Sequence, residues 1–337
     1  MASPELYLQE IWQFHKSIIP CKDKDGNMSH LHSSLRFARL STFITLGVIT
    51  SLLSILTQTY PAVASGSTAA HSNVGSSVPV FGNASHSSKS FASATGPVDD
   101  NNVAWAGYHT AVGQYTAATM SWRVPTARPV AEGNGSMSSI WPGIGVGSAQ
   151  DPLIQAGTHA DVICPGGPCT TPFYYFWWQV YPFNNEQKVP QVPVEAGDDV
   201  RVTVKYSTDK KRAQITLANV SKNTGTFIEF DLPASASAGV ATQAQWIVER
   251  PQLCFPEGCS WAKLTNFGSI AITAASAFTG RANAGGSGTW KTVRNVAAFR
   301  DRSFSCDGKV LLSEPRALSA EDAFSVDWKA SGDWEAC

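Results

Sequence analysis

His109 and His159 are the two histidines that lie clear of the N-terminal region and of a Ser-rich stretch, so a Ser/His/Asp nucleophile would need one of them. Neither carries a flanking motif. The chain has no HExxH zinc signature, no GxSxG elbow and no Walker A loop. The two Asp-Thr/Ser-Gly segments of pepsin-like proteases are also absent. Cys164 and Cys169, and Cys254 and Cys259, are each separated by four residues. Metal pairs usually sit as CxxC with His or a second pair nearby, so these spacings suit disulfides better than zinc. No metal and no cofactor is expected. What remains for chemistry is a set of amides and carboxylates embedded among tryptophans and tyrosines.

Six segments carry this set, in order along the chain. They are Asn102-Val-Ala-Trp105-Ala-Gly107-Tyr108, Ser139-Ile-Trp141-Pro-Gly143-Ile144 and Leu153-Ile-Gln155-Ala-Gly157. Then come Tyr175-Phe-Trp177-Trp178-Gln179-Val-Tyr181-Pro182, Ala244-Gln-Trp246-Ile247-Val248-Glu249 and Phe267-Gly268. Together they resemble the glutamic peptidases, or eqolisins. That family shows Asn-Trp-Ala-Gly, Ala-Trp-Val-Gly-Ile, Leu-Gln-Thr-Gly, Ala-Trp-Tyr-Glu-Trp-Tyr-Pro and Ala-Glu-Trp-Ile-Val-Glu in the same order. The likeness is good over 101–276 and thinner over 277–337.

The resemblance implies an acid endopeptidase with a catalytic pair at Gln155 and Glu249. Amide hydrolysis needs a base for water, a donor for the oxyanion and an acid for the leaving nitrogen. An ionised Glu249 serves as base and, once protonated, as acid. Gln155 donates an N–H to the tetrahedral oxygen. An amide does not titrate, so the pair avoids the coupling between two adjacent carboxylates. Trp141, Trp177, Gln179 and Tyr181 are implied as the substrate-binding wall, with polypeptides as substrates. The two side chains are expected to face one another in a concave cleft on one face of one sheet, within bridging distance of one water.

Four positions depart from the family pattern. Gly145 stands where an Asp often follows, and His159 where an Asp lies four residues after the catalytic Gln. Gln179 and Gln245 each replace a Glu. The cleft is therefore expected to be less acidic than the family's. A binding module that stacks sugar rings on Trp and Tyr is the rival reading, with 11 Trp in the chain. An inactive peptidase homologue is another.

The elements that must hold these residues read as short strands. Apolar or alternating runs occur at 115–124, 174–181, 199–206, 213–219, 225–230, 244–249, 269–273 and 324–328, split by Gly, Pro, Asn and Asp. Val200, Val202, Val204 and Tyr206 alternate with polar residues, which means a strand with one buried face. Asn219 to Gly225 reads as a hairpin turn. Segments at 308–310 and 315–319 read as closing strands. The expectation is an all-β fold, an antiparallel sandwich of two sheets over 98–337, as the family also implies.

The N-terminal region reads differently. Arg36 and Arg39 precede an apolar run over 40–56, and Ala62-Val63-Ala64 offers small residues for cleavage. Residues 1–39 are read as leader, 40–64 as signal peptide or uncleaved anchor, and 65–97 as a Ser/Gly-rich linker or pro-segment. Met28 is an alternative start. A secreted monomer is expected, with no stable membrane partner once the signal is cut. Net charge is -1 with 15% charged residues, and no basic stripe points to nucleic acid. Of seven Cys, six follow the signal, which favours pairing 164–169, 254–259 and 306–337 among 15 connectivities. Asn83, Asn134 and Asn219 begin glycosylation sequons.

Overall fold

Period-two alternation is realised as strands almost wherever it occurs. In the computed structural model, residues 96–129, 135–164, 171–207, 211–236, 241–255, 258–280 and 288–337 are described. The expected leader and signal lie outside them, as does the linker up to residue 95. The strands run β1 (Val98–Asn102), β2 (Trp105–Thr110), β3 (Tyr115–Arg123), β4 (Ser136–Ile144), β5 (Leu153–Val162), β6 (Phe173–Tyr181) and β7 (Gln187–Lys188). Next come β8 (Asp199–Tyr206), β9 (Arg212–Asn219), β10 (Thr224–Asp231), β11 (Ala244–Glu249), β12 (Gln252–Phe255) and β13 (Gly258–Trp261). The last are β14 (Ser269–Thr279), β15 (Thr289–Thr292), β16 (Ala297–Phe304), β17 (Leu311–Pro315) and β18 (Phe324–Trp328).

The hydrogen-bonded path runs β10-β9-β8-β3-β14, turns through β18 and β17, and returns as β16-β2-β11-β4-β5-β6-β7. The two arms pack on one another, with β4 and β5 against β8 and β6 against β9. This is the expected antiparallel sandwich. One pair departs from it: β1 lies parallel to β16. Val200, Val202 and Val204 of β8 are buried between the arms. Each such valine contributes roughly 1.5 kcal/mol or more by leaving water. Two tryptophans stitch the arms with their indole N–H groups. Trp246 on β11 donates to the Thr119 carbonyl on β3 (3.0 Å), and Trp122 on β3 donates to Thr158 Oγ1 on β5 (3.1 Å). A buried indole N–H needs such a partner.

Three local expectations are refined. The closing strand falls at Leu311–Pro315, not at 308–310 or 315–319. Gly308 takes φ +72°, and the Asp307 carboxylate accepts from the Lys309 N–H and the Ser305 hydroxyl, which makes a turn there. The hairpin at 219–225 forms with Asn223 at φ 49°. Asn219 itself is fully buried, with its amide donating to Asp198 Oδ2 (2.7 Å) and the Pro193 carbonyl (2.9 Å). That sequon is therefore closed to a glycan in the folded chain, while Asn83 and Asn134 lie outside the described residues. Disulfides join Cys254 to Cys259 and Cys306 to Cys337, as expected. Cys164 is disulfide-bonded too, and its expected partner Cys169 lies outside the described residues.

Candidate active site

Five adjacent strands, β2, β11, β4, β5 and β6, carry every candidate side chain. Their registers align the candidates in rows across the sheet. One row reads Gln179, Gln155, Gly143, Gln245 and His109 from β6 to β2. A second row, four positions along each strand, reads Tyr175, His159, Ser139, Glu249 and Trp105. Side chains directly opposite in a ladder, and those two apart on a strand, share a face. Gln155 and Glu249 therefore project from the same face, as expected. The other face of these strands turns Trp246 and Thr158 into the core.

Between those rows stand Trp177, Gly157, Trp141, Ile247 and Gly107. Trp141, Trp177, Tyr175, Leu153 and Ile247 form an apolar cluster on this face, with Trp105 and Tyr181 at its margin. Gly157 is required here: a Cβ would collide with the Ile140 carbonyl and approach Trp141 Cβ to 2.8 Å. Gly145 is required for another reason. It takes φ +101°, and a Cβ would collide with the Pro152 carbonyl. An Asp at that position is incompatible with this backbone. The Gln245 amide donates instead to the Gly145 carbonyl at 2.7 Å and fixes the turn.

The Glu249 carboxylate accepts two indole N–H groups. Trp141 Nε1 lies 2.7 Å from Oε2, and Trp105 Nε1 lies 3.3 Å from Oε1. The two indoles meet edge to face at 5.3 Å. Trp105 in turn is aimed by Asn102, whose side-chain oxygen accepts from the backbone N–H of Ala104 and of Trp105. Trp105 was legible within its segment, but only the register of β2 beside β11 reveals it as a ligand of the carboxylate. Glu249 is half-buried. Burial pushes its pKa up to about 7, while the two indole donors and the His159 charge pull the other way.

Gln155 is buried, and its Nε2 donates to Gln179 Oε1 at 2.9 Å. Gln179 is itself held, donating to the Asn184 carbonyl at 3.0 Å. That chain consumes one of the two N–H groups of Gln155. Its Oε1 is buried without a hydrogen-bond partner among the described residues. Gln155 and Glu249 thus keep separate partners and are not bonded to one another. Trp177 is buried opposite Gly157, and Tyr181 pairs with Leu153 at the far end of the face and packs near Gly147.

The raised pKa of Glu249 has a consequence for stability. The folded state holds this proton between the ordinary value of 4.5 and about 7, whereas the unfolded chain releases it. The contribution is therefore full below 4.5 and is lost as pH rises through 7. The residual cost at pH 8 is on the order of 2 to 3 kcal/mol. Glu249→Gln should thus melt above the wild type at pH 8 and close to it at pH 4. Equal differences at both pH values in thermal denaturation would contradict the assignment.

One cluster of potential metal ligands exists among the described residues: Asp100, His109 and Asp301. No motif announces it, because its members come from β1, β2 and β16. His109 Nδ1 lies 2.8 Å from Asp301 Oδ2, and Asn102 donates to Asp301 Oδ1 at 3.4 Å. His109 also stacks on Phe299 at 4.5 Å. His109 and Asp301 satisfy one another, and the two read as a buried ion pair that ties β16 to β2, with Asp100 at its margin.

The arrangement has relatives. The model of the Peptidase A4 family matches residues 103–308. The chain belongs to the Peptidase A4 family. Aspergillopepsin-2 of Aspergillus niger is 24% identical over 199 residues, which cover 54% of this chain and 66% of that protein. This chain thus spans just under two thirds of that relative's length. The crystal structure of scytalido-glutamic peptidase with a transition state analog inhibitor aligns with a TM-score of 0.52 at 17% identity, over 68% of this chain and 99% of that one. At that identity the likeness is one of fold. The A4 match contains Gln155, Glu249 and the whole aromatic wall, and the resemblance read from the sequence is borne out.

Proposed function

We propose that this A4 family member is an endopeptidase in which Glu249 is the general base and acid and Gln155 the oxyanion donor. The observation that carries this is Glu249 itself. It is a half-buried carboxylate, held by two indoles, with a pKa pushed up to about 7, on the same face as a buried amide. A carboxyl poised near neutrality is suited to taking and returning a proton.

Ionised Glu249 removes a proton from water as the oxygen attacks the scissile carbonyl carbon. The carbonyl π pair moves to oxygen, and the N–H of Gln155 that Gln179 does not use donates to the oxyanion. Protonated Glu249 then gives its proton to the amide nitrogen as the C–N bond breaks. Glu249 is returned ionised once the new carboxylic acid and amine leave. The unpartnered Gln155 oxygen can accept from the attacking water. Tyr181, which is only partly buried, would seat an apolar substrate side chain. Trp141 and Trp177, expected to line the wall, are buried beneath it and would act as its support, and Gln179 would hold Gln155 in place.

The same geometry moves the expected pH window. A base with a pKa of about 7 is mostly protonated in strong acid, so the acidic limb of kcat/KM should lie near neutrality rather than at an acid optimum. Export is part of the proposal. The apolar run over 40–56 and the disulfide-bonded cysteines suit an oxidising compartment. No helix among the described residues is long and apolar enough to cross a membrane. The proposed enzyme acts as a monomer on polypeptides.

Digestion of an unfolded protein across pH 3–9 tests the proposal, before and after removal of the segment up to about residue 97. Activity should fall by roughly a hundredfold or more in Glu249→Gln, and that of the wild type should resist chelators and serine- and cysteine-directed reagents. A wild type inactive throughout would shift the reading to an aromatic-walled binding module.

A further inference from the structure

His159 lies in the same row as Glu249, separated from it by one residue, Ser139. All three project from one face. The Ser139 hydroxyl is buried and has no hydrogen-bond partner among the described residues. A buried hydroxyl left unpaired carries a desolvation cost of about 1–3 kcal/mol, which an ordered water would relieve. His159 is also buried, and its ring is clamped from behind. Nδ1 lies 2.7 Å from Asp161 Oδ1 and 3.0 Å from the Tyr175 hydroxyl, and the two rings stack at 5.1 Å. Nε2 is the one ring nitrogen outside that clamp.

We propose that His159 is a positioning residue for Glu249, a fixed imidazolium that acts through a water on the Ser139 hydroxyl to favour the ionised carboxylate. This deepens the reading of Glu249 as the base and rests on it for its catalytic meaning.

The surroundings of His159 fix the sign. Asp161 faces it from its own strand, Tyr175 from β6, Glu186 from the link to β7, Lys188 from β7, and Glu249 from β11 across β4. Burial opposes the charged ring, but the Asp161 carboxylate outweighs it and keeps His159 protonated above its ordinary range. The same pairing holds Asp161 ionised despite its burial. Lys188 is engaged with the Tyr175 ring, 3.9 Å from its centroid. Removing the imidazolium takes away the positive charge that favours the Glu249 carboxylate and leaves Glu186, which opposes it. Glu249 would then hold its proton to higher pH.

The test reads Glu249 directly. Infrared titration of the carboxyl band, with Glu249→Gln as the subtracted reference, should give an apparent pKa about one unit higher in His159→Gln than in the wild type. Ser139→Ala should move it the same way by less. In the active enzyme the acidic limb of kcat/KM should move upward in step. A folded His159→Gln with an unmoved Glu249 titration overturns the proposal. If His159→Gln does not fold, an unmoved titration in Ser139→Ala overturns it. An inactive wild type would sink the peptidase reading but leave the infrared comparison standing, so the two failures are distinguishable.

Discussion

Glu249→Gln should lower kcat by roughly 10²- to 10⁴-fold, the usual contribution of a positioned acid–base group. The substitution is nearly isosteric. It should keep the sheet intact, because Glu249 closes the β11 ladder through its backbone and not its side chain. The side chain must, however, face two indole donors. A carboxylate accepts from both, at 2.7 Å and 3.3 Å. A carboxamide has one acceptor oxygen, which should settle on the shorter Trp141 contact and turn its NH2 towards Trp105. That donor-against-donor contact sits on the longer bond and costs less than it would on the shorter. Glu249→Asp should be nearly as damaging, because the shortened side chain loses reach to both indoles. Steady-state cleavage of an unfolded substrate at the wild-type optimum measures both. Full turnover in Glu249→Gln would end the assignment of this carboxyl as base.

Much of this site is legible in the amino-acid sequence alone. Val200 to Tyr206 alternate because one face of β8 is buried, and the run becomes a strand with the bounds the alternation implies. The segments containing Gln155 and Glu249 also fall on strands, at β5 and β11. What alternation cannot supply is register. Nothing local to Trp105 says that it will lie opposite Glu249, or that Ser139 will stand between Glu249 and His159. Those relations depend on which strands pair and in what register, and a slip of one residue would turn each side chain to the other face. The same holds for Asp301, whose partner His109 lies 192 residues away. The departures from the family pattern also acquire reasons only in three dimensions. Gly145 is imposed by a backbone that a Cβ would block, and the Gln245 amide braces the same turn. The misplaced closing strands have a local cause. Gly308 and Asp307 form a turn whose hydrogen bonds compete with extension, and the strand starts only after it at Leu311.

Gln155→Ala should lower kcat by about 10²- to 10³-fold with a smaller change in KM, the signature of a donor that acts mainly in the transition state. The structure explains why one amide can have so large an effect. Gln155 is buried, so its N–H faces little competition from water, and a hydrogen bond formed there is worth more than one at the surface. It is also held before substrate arrives, because Gln179 fixes one N–H and Asn184 fixes Gln179. Gln179→Ala should therefore retain more activity than Gln155→Ala, since it removes the brace and leaves the donor. Gln155→Glu separates shape from charge. It preserves length and burial but replaces the donor with a titrating carboxyl on the face that holds Glu249. While that carboxyl is ionised it offers no N–H to an oxyanion, and its charge raises the pKa of Glu249 further. Its activity should fall at least as far as in Gln155→Ala, with the acidic limb displaced upward. The order expected in kcat is wild type, Gln179→Ala, Gln155→Ala and then Gln155→Glu. If Gln155→Ala instead keeps the wild-type kcat and only raises KM, Gln155 binds substrate equally in ground and transition states, and the oxyanion must be stabilised by another donor on this face.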